Sequence, residues 1–154
     1  RYGLVGSEMC IRDRYINIGI AVDTPTGLVV PVISNADQKS ISDLSIELVD
    51  ISNRARNKKL KPAELKGGTF TISSLGGIGG SFFTPIINPP EVAIIGVSQS
   101  VWKNIFNGNE KKSELKYIMP FSLSYDHRII DGAAGARFTK RFKEILDDLS
   151  FFKD

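Results

Sequence analysis

The chain has 154 residues, a net charge of +3 from 20 basic and 17 acidic side chains, and 42% hydrophobic content. That is ordinary globular composition, enough for one compact domain and too evenly charged for a dedicated nucleic-acid binder, which needs a concentrated basic surface. The longest apolar run, Val92 to Val97, is far too short to cross a bilayer, and the lone Cys10 excludes an internal disulfide and fits a reducing compartment.

Residues 1 to 14 carry charges throughout, lack the apolar stretch of a signal peptide and show no periodicity. They are read as unassigned and foreign to the rest of the chain, and the chain, starting at Arg1, as a piece of a longer protein. From Tyr15 to Val22 the residues alternate, with Ile16, Ile18, Ile20 and Val22 on one face, which predicts a half-buried strand. The turn D-T-P-T-G (Asp23 to Gly27) joins it to a second apolar strand, L-V-V-P-V-I, in which Pro31 marks an edge or a bulge. Ser40, with Asp43 three residues on, caps an amphipathic helix over 41 to 58 whose stripe is Ile41, Leu44, Leu48, Ile51 and Ala55. Its end carries the only basic cluster, Arg54, Arg56, Lys58, Lys59 and Lys61, placed where cations suit a helix C-terminus.

Pro62 opens a short helical turn that stops at Gly67 and Gly68. A strand is predicted at 69 to 73, with Thr69, Thr71 and Ser73 on one face and Phe70, Ile72 and Ser74 on the other, the second face being the apolar one expected in the core. Gly76, Gly77, Gly79 and Gly80 fit neither the phosphate-loop nor the dinucleotide spacing, so they read as a tight loop. Glu91 to Ser98 reads as a buried strand, Val101 to Phe106 as another, and Lys116 to Tyr125 alternates as a strand. The last helix is expected over Gly132 to Leu149, with Phe138, Phe142, Ile145 and Leu149 buried and Gly132 to Gly135 packing closely. Mixed strands with two long helices predict an α/β fold, with the helices on one face of the sheet.

One histidine exists, and its setting singles it out. His127 lies between Asp126 and Arg128, past an apolar strand, with Asp131 and Gly132 opening the final helix. Histidine titrates nearest neutral pH, which suits proton transfer at a thiol or hydroxyl. With no second histidine, a metal site is not expected. Asp131 reads as an N-cap for the helix, and Asp126 with Arg128 as a loop-fixing ion pair.

The run S-Y-D-H-R-I-I-D-G resembles the D-H-R-x-x-D-G motif of the dihydrolipoamide acyltransferases that form the cores of 2-oxo acid dehydrogenase complexes. Three further stretches resemble the same family in the same order: G-I-A-V-D-T-P-T-G-L-V-V-P-V-I, K-L-K-P-A-E-L-K-G-G-T-F-T-I-S-S-L-G and T-P-I-I-N-P-P-E-V-A-I-I-G-V-S. S-S-L-G-G-I-G-G with P-E-V-A-I-I-G-V-S looks more like the pyruvate-type, acetyl-transferring members than the succinyl or branched-chain ones.

The resemblance implies a coenzyme A-dependent, chloramphenicol acetyltransferase-like fold, truncated at its N-terminus, with residues 15 to 154 as the C-terminal part of the catalytic domain. It implies transfer of an acyl group from the thioester of dihydrolipoamide to the thiol of coenzyme A. His127 would take the thiol proton, Ser73 would donate to the oxyanion, and Asp131 would hold the site's geometry; Arg128 is a weaker candidate for the cofactor phosphates. It also implies a homotrimer in which His127 of one subunit faces Ser73 of the next, and a larger hollow core built from trimers. The lipoyl group and the contacts to the decarboxylase and dihydrolipoamide dehydrogenase components would reside on domains outside this chain. No nucleic acid and no membrane are expected, and the bacterial cytoplasm is favoured over the mitochondrial matrix. Two alternatives are a non-catalytic structural subunit, which the presence of both His127 and Ser73 argues against, and a free-standing acetyltransferase such as chloramphenicol acetyltransferase. The latter has a second histidine where this chain has Asp126.

Overall fold

A computed structural model describes residues 15–108 and 112–152; residues 1–14, with Cys10 and the reading of them as foreign, lie outside the described residues. The central layer is a five-stranded mixed sheet. Its strands are β1 (Ile18–Ile20), β4 (Val32–Ile33), β5 (Phe70–Ser74), β6 (Ala93–Val97) and β9 (Phe121–Tyr125). They lie side by side in the order β4-β1-β5-β6-β9. β1, β5 and β6 run parallel, and β4 and β9 pair antiparallel at the edges.

The hairpin expected from Tyr15 to Ile33 forms, but neither arm is continuous. The inner part, β2 (Val22–Thr24) and β3 (Gly27–Val29), is a separate ribbon closed by the turn at Pro25 and Thr26. The break follows from Pro31, which has no N–H for a ladder. Its carbonyl accepts from Ile20 N at 2.9 Å while Ala21 N turns to Ile72 O at 2.9 Å, so the two arms change partners there. The same device splits the strand expected over Lys116 to Tyr125. β8 (Lys112–Ile118) pairs with β7 (Val101–Asn107) in its own ribbon, and after Met119 and Pro120 the chain enters the main sheet as β9.

Helix α1 (Ile41–Arg56) starts where Ser40 Oγ accepts from Asp43 N at 3.1 Å, as the capping pattern predicts. Only Ile51 and Ala55 of its expected stripe are buried, while Ile41 and Leu48 are exposed. The first half of α1 overhangs the two-residue edge strand β4, leaving an open apolar groove of about 340 Å³ between Ile41, Leu44, Leu48 and the sheet residues Ile18, Ile20, Ile33 and Ile72. At the other end Arg54 holds both Asp50 (2.7 Å) and Glu64 (2.5 Å), clamping the 3-10 turn Pro62–Leu65 against the helix. These bonds raise the Arg54 pKa, that to Glu64 first, while the Lys61 amide and then Arg54 lower that of Glu64.

Helix α2 (Gly132–Asp147) lies on the same face of the sheet as α1, as expected. Phe138 meets Phe70 at 5.8 Å, Phe142 meets Phe121 at 5.0 Å, and buried Gly135 sits where a Cβ would come within 2.8 Å of Tyr125. The helix ends two residues short of Leu149, whose side chain lies outside the described residues.

The opposite face carries the row Gly19, Thr71, Ile94, Ser124 and beside it Ser73, Gly96, Ser122. Small residues line it because an extended segment, residues 82–88, crosses over it. A Cβ on Gly96 would meet the Phe83 ring at 2.6 Å. Phe70 and Ile72 lie on the helix-covered face, as expected, but that face is not the only buried one. Both are half-buried under the helices, whereas Thr71 is 0% exposed. A threonine tolerates that burial because its hydroxyl donates to Glu91 Oε2 at 2.6 Å. Among the described residues no helix is long and apolar enough to cross a membrane.

Candidate active site

β9 ends at Tyr125 and the chain makes a tight turn before α2. Asp126 organises that turn. Its amide donates to Val92 O at 2.8 Å, and its carbonyl accepts from Ile129 N and Ile130 N at 3.0 and 2.9 Å. Its carboxylate accepts from Arg128 through N (2.9 Å), Nε (2.9 Å) and Nη2 (2.6 Å). The Arg128 side-chain hydrogen bonds, then its amide, hold the Asp126 carboxyl down to about 2, and the same pairing raises Arg128. The loop-fixing pair read from the sequence is therefore present, and the Arg128 side chain, the weaker phosphate candidate, is held on Asp126 while largely exposed. At the far side of the turn Asp131 caps α2, its carboxylate accepting from Ala134 N at 2.6 Å.

His127 stands between these two anchors, exposed, with its ring 5.9 Å from that of Tyr125. It makes no hydrogen bond to a described residue. The backbone under it is pinned on both sides, so the imidazole is presented outward from a rigid turn rather than absorbed into the core.

Ser73 lies on the opposite face of the sheet from the helices, lining a mostly apolar cleft of about 480 Å³. Leu28 and Val30 form one wall, and Phe83, Pro85 and Ile87 of the covering segment form the other. The two adjacent serines differ in their partners. Ser74 Oγ accepts from Gly76 N at 3.4 Å, at the start of the glycine loop, while the Ser73 hydroxyl is uncommitted among the described residues. Thr71, on the same face, is fully occupied by Glu91. Gly79 and Gly80 adopt φ of 125° and 99°, so this loop uses these glycines for backbone shape.

The structure does not bring Ser73 and His127 together within one chain. Tyr125 pairs with Ala93, three residues before Gly96, the partner of Ser73, and His127 lies two residues beyond Tyr125. At about 3.3 Å per residue and about 4.8 Å per strand, the two positions are on the order of 15–20 Å apart. No group of three or more His, Cys, Asp or Glu that could hold a metal occurs among the described residues.

Sequence reasoning missed Glu91, which it placed merely at the start of a strand. It is 9% exposed, with Oε2 bound to Thr71 and Oε1 3.4 Å from Asn88 Nδ2. The signal was available as a single carboxylate heading the apolar run V-A-I-I, a position that is costly unless the charge has partners.

Comparison with known proteins agrees with the motif resemblance. The model of the 2-oxoacid dehydrogenases acyltransferase (catalytic domain) family matches residues 5–152. The chain is 54% identical over 139 residues to the dihydrolipoyllysine-residue acetyltransferase component of the pyruvate dehydrogenase complex of Pseudomonas aeruginosa, an alignment covering 90% of this chain and 25% of that protein. It thus spans about a quarter of the length of such curated relatives. Among solved structures, the cubic core of the pyruvate dehydrogenase multienzyme complex superposes with a TM-score of 0.87 at 52% identity, covering 92% of this chain and 57% of that one. A structure of Azotobacter vinelandii dihydrolipoamide acetyltransferase, determined to examine the role of a serine, a histidine and an asparagine in its catalytic mechanism, gives the same TM-score, identity and coverage.

Proposed function

The chain belongs to the 2-oxoacid dehydrogenase acyltransferase family, as part of its catalytic domain, and on that premise we propose that it transfers an acetyl group from dihydrolipoamide to coenzyme A at a site shared between subunits. The observation that carries the proposal is the pairing of a rigidly presented, uncommitted His127 with an uncommitted Ser73 in a cleft. Their separation within one chain favours a partner subunit completing each site. The acetyl donor, rather than a succinyl or branched-chain one, follows from the named relatives.

In this reading His127 accepts the proton of the coenzyme A thiol. A free thiol of pKa about 8.5 is mostly protonated at neutral pH, and the thiolate is the nucleophile. The sulfur attacks the thioester carbonyl, and the resulting oxyanion accepts a hydrogen bond from Ser73 Oγ. Collapse expels the dihydrolipoamide sulfur, which takes the proton back from the imidazolium. Asp131 acts on this chemistry through the turn it fixes. In the A. vinelandii protein the asparagine lies four residues beyond the histidine, and the same step from His127 arrives at Asp131. The working unit is a homotrimer within a larger core, by likeness to the cubic-core structure. The decarboxylase, the dihydrolipoamide dehydrogenase and the lipoyl group are engaged through segments outside this chain. Bacterial cytoplasm is the compartment that fits, the named relatives being bacterial.

The test is acetyl transfer from acetyldihydrolipoamide to coenzyme A by the full-length protein and its variants. His127→Ala should lower kcat about 10²–10⁴-fold, and Ser73→Ala about 10²–10³-fold. Mixed assemblies of the two inactive subunits should regain activity, because some interfaces then carry both intact groups. Equal rates in parent and His127→Ala would remove the base. Mixed assemblies without recovery would remove the shared site.

A further inference from the structure

Glu91 lies between the strand that carries Ser73 and the turn that carries His127, which serve different sites of the assembly. The carboxylate reaches back from the start of β6 to the middle of β5, where Thr71 donates to it two residues before Ser73. Two glycines make room for this contact. A Cβ on Gly68 would come within 2.5 Å of Glu91 Oε1, and one on Gly19 within 2.6 Å of Thr71 Oγ1. The residue after Glu91 holds the His127 turn, because Val92 O accepts the Asp126 amide that begins it.

The surrounding hollows divide along the same line. Asn88, hydrogen-bonded to Glu91, lines the Ser73 cleft. Glu91 and Val92 line a second hollow of about 440 Å³ with Asp126 and Arg128 at the base of the His127 turn. Pro89 borders both. Neither oxygen of Glu91 is paired with a cation among the described residues; its hydrogen bonds go to a strand and to a covering segment. The carboxylate therefore links the Thr71 side chain on β5 to the Asn88 side chain on the covering segment.

We propose that Glu91 is a positioning residue for acyl transfer, setting β5 with Ser73 and the His127 turn in one frame through its hydrogen bond to Thr71. The inference rests on the function proposed above. Loss of the bond lets β5 shift against β6, and a displacement near 1 Å at reacting groups costs on the order of 10²-fold in rate. Such a residue acts on the transition state more than on substrate binding, so kcat should fall while KM stays.

In the assembled full-length protein, Glu91→Ala should lower kcat about 10–100-fold, with KM for coenzyme A and acetyldihydrolipoamide within about threefold. Thr71→Val, nearly isosteric, should reproduce the loss, and the double variant should be no slower than the worse single one, because both remove the same bond. Glu91→Gln keeps an acceptor for Thr71 and should recover most of the rate with an unchanged pH–rate profile. If Glu91→Ala does not assemble, Thr71→Val and Glu91→Gln decide. Unchanged kcat in Thr71→Val overturns the proposal, as do additive losses in the double variant. A displaced pH profile in Glu91→Gln overturns it too, by making the carboxylate a proton-transfer group. An inactive parent, or one indifferent to His127→Ala, refutes the underlying function and is seen before any Glu91 variant is made.

Discussion

Two aspartates five residues apart frame the turn around His127, and they do different work. Asp131 is a helix cap, so Asp131→Ala should cost about 1 kcal/mol of stability in denaturant unfolding, while Asp131→Asn, which keeps an acceptor for Ala134 N, should cost only a few tenths. Asp126 holds Arg128 instead, and its carboxyl is lowered from 3.8 to about 2 by that pairing. A depressed carboxylate contributes stability above its unfolded pKa and loses it as pH falls through the folded one. The contribution should therefore be constant at neutral pH and decline from about pH 3.8 towards pH 2. A carbon-detected titration of Asp126 should show its midpoint near 2, moving up towards 3.8 in Arg128→Met. An unmoved midpoint would show that Arg128 is not the cause. Both aspartates were readable in the sequence, because caps and adjacent ion pairs are local features. Glu91 was not, since its partner Thr71 is twenty residues away.

Among the elements, the strands were legible as periodicity, and their partners were not. Pro120 divides a run that alternates smoothly across the break and Pro31 a continuous apolar one, because such patterns record which side is apolar and say nothing about which ladder receives the N–H groups. The same blindness hid that both sides of β5 are covered. Threonine and serine on one side gave no sign of a cover, yet residues 82–88 cross it and Gly96 admits Phe83 against the sheet. Gly96→Ala should force that ring outward, costing about 1–3 kcal/mol and lowering kcat/KM by narrowing the cleft at Ser73. Phe83→Leu in the same chain should return part of both. If the two substitutions cost the same separately and together, the contact does not shape the cleft. Helix α1 was legible in type, cap and extent, but the exposure of its first half was not foreseeable from its own stripe.

At the scale of the whole molecule, the exposed apolar surface is the dominant feature. The β7/β8 ribbon presents Trp102 at 64%, Phe106 at 66% and Tyr117 at 61% exposure, with the Trp102 and Tyr117 rings 5.0 Å apart across the ribbon. α1 adds Ile46 and Val49 beside the open groove. Surface of this kind marks an interaction face or an aggregation liability, and an isolated two-stranded ribbon is marginal in water. This chain expressed by itself should therefore self-associate into heterogeneous species in size-exclusion chromatography with light scattering. Trp102→Ser together with Phe106→Ser should reduce that association. A clean, dye-silent monomer of the unaltered chain would contradict the expectation.

The sequence alone determined what is encoded locally or by motif: the two helices and their caps, the α/β class with helices on one face, the family, and the candidacy of His127. Local signals suffice there because capping, periodicity and short motifs act over a few residues. Only the tertiary structure decided which serine is free, since Ser74 is taken by the glycine loop and Ser73 by nothing described. It also decided that Ser73 and His127 stand at opposite ends of the sheet and that a buried carboxylate ties their two elements together. These facts depend on strand register and on a segment folding back over the sheet, and both are set by contacts between residues far apart in the chain.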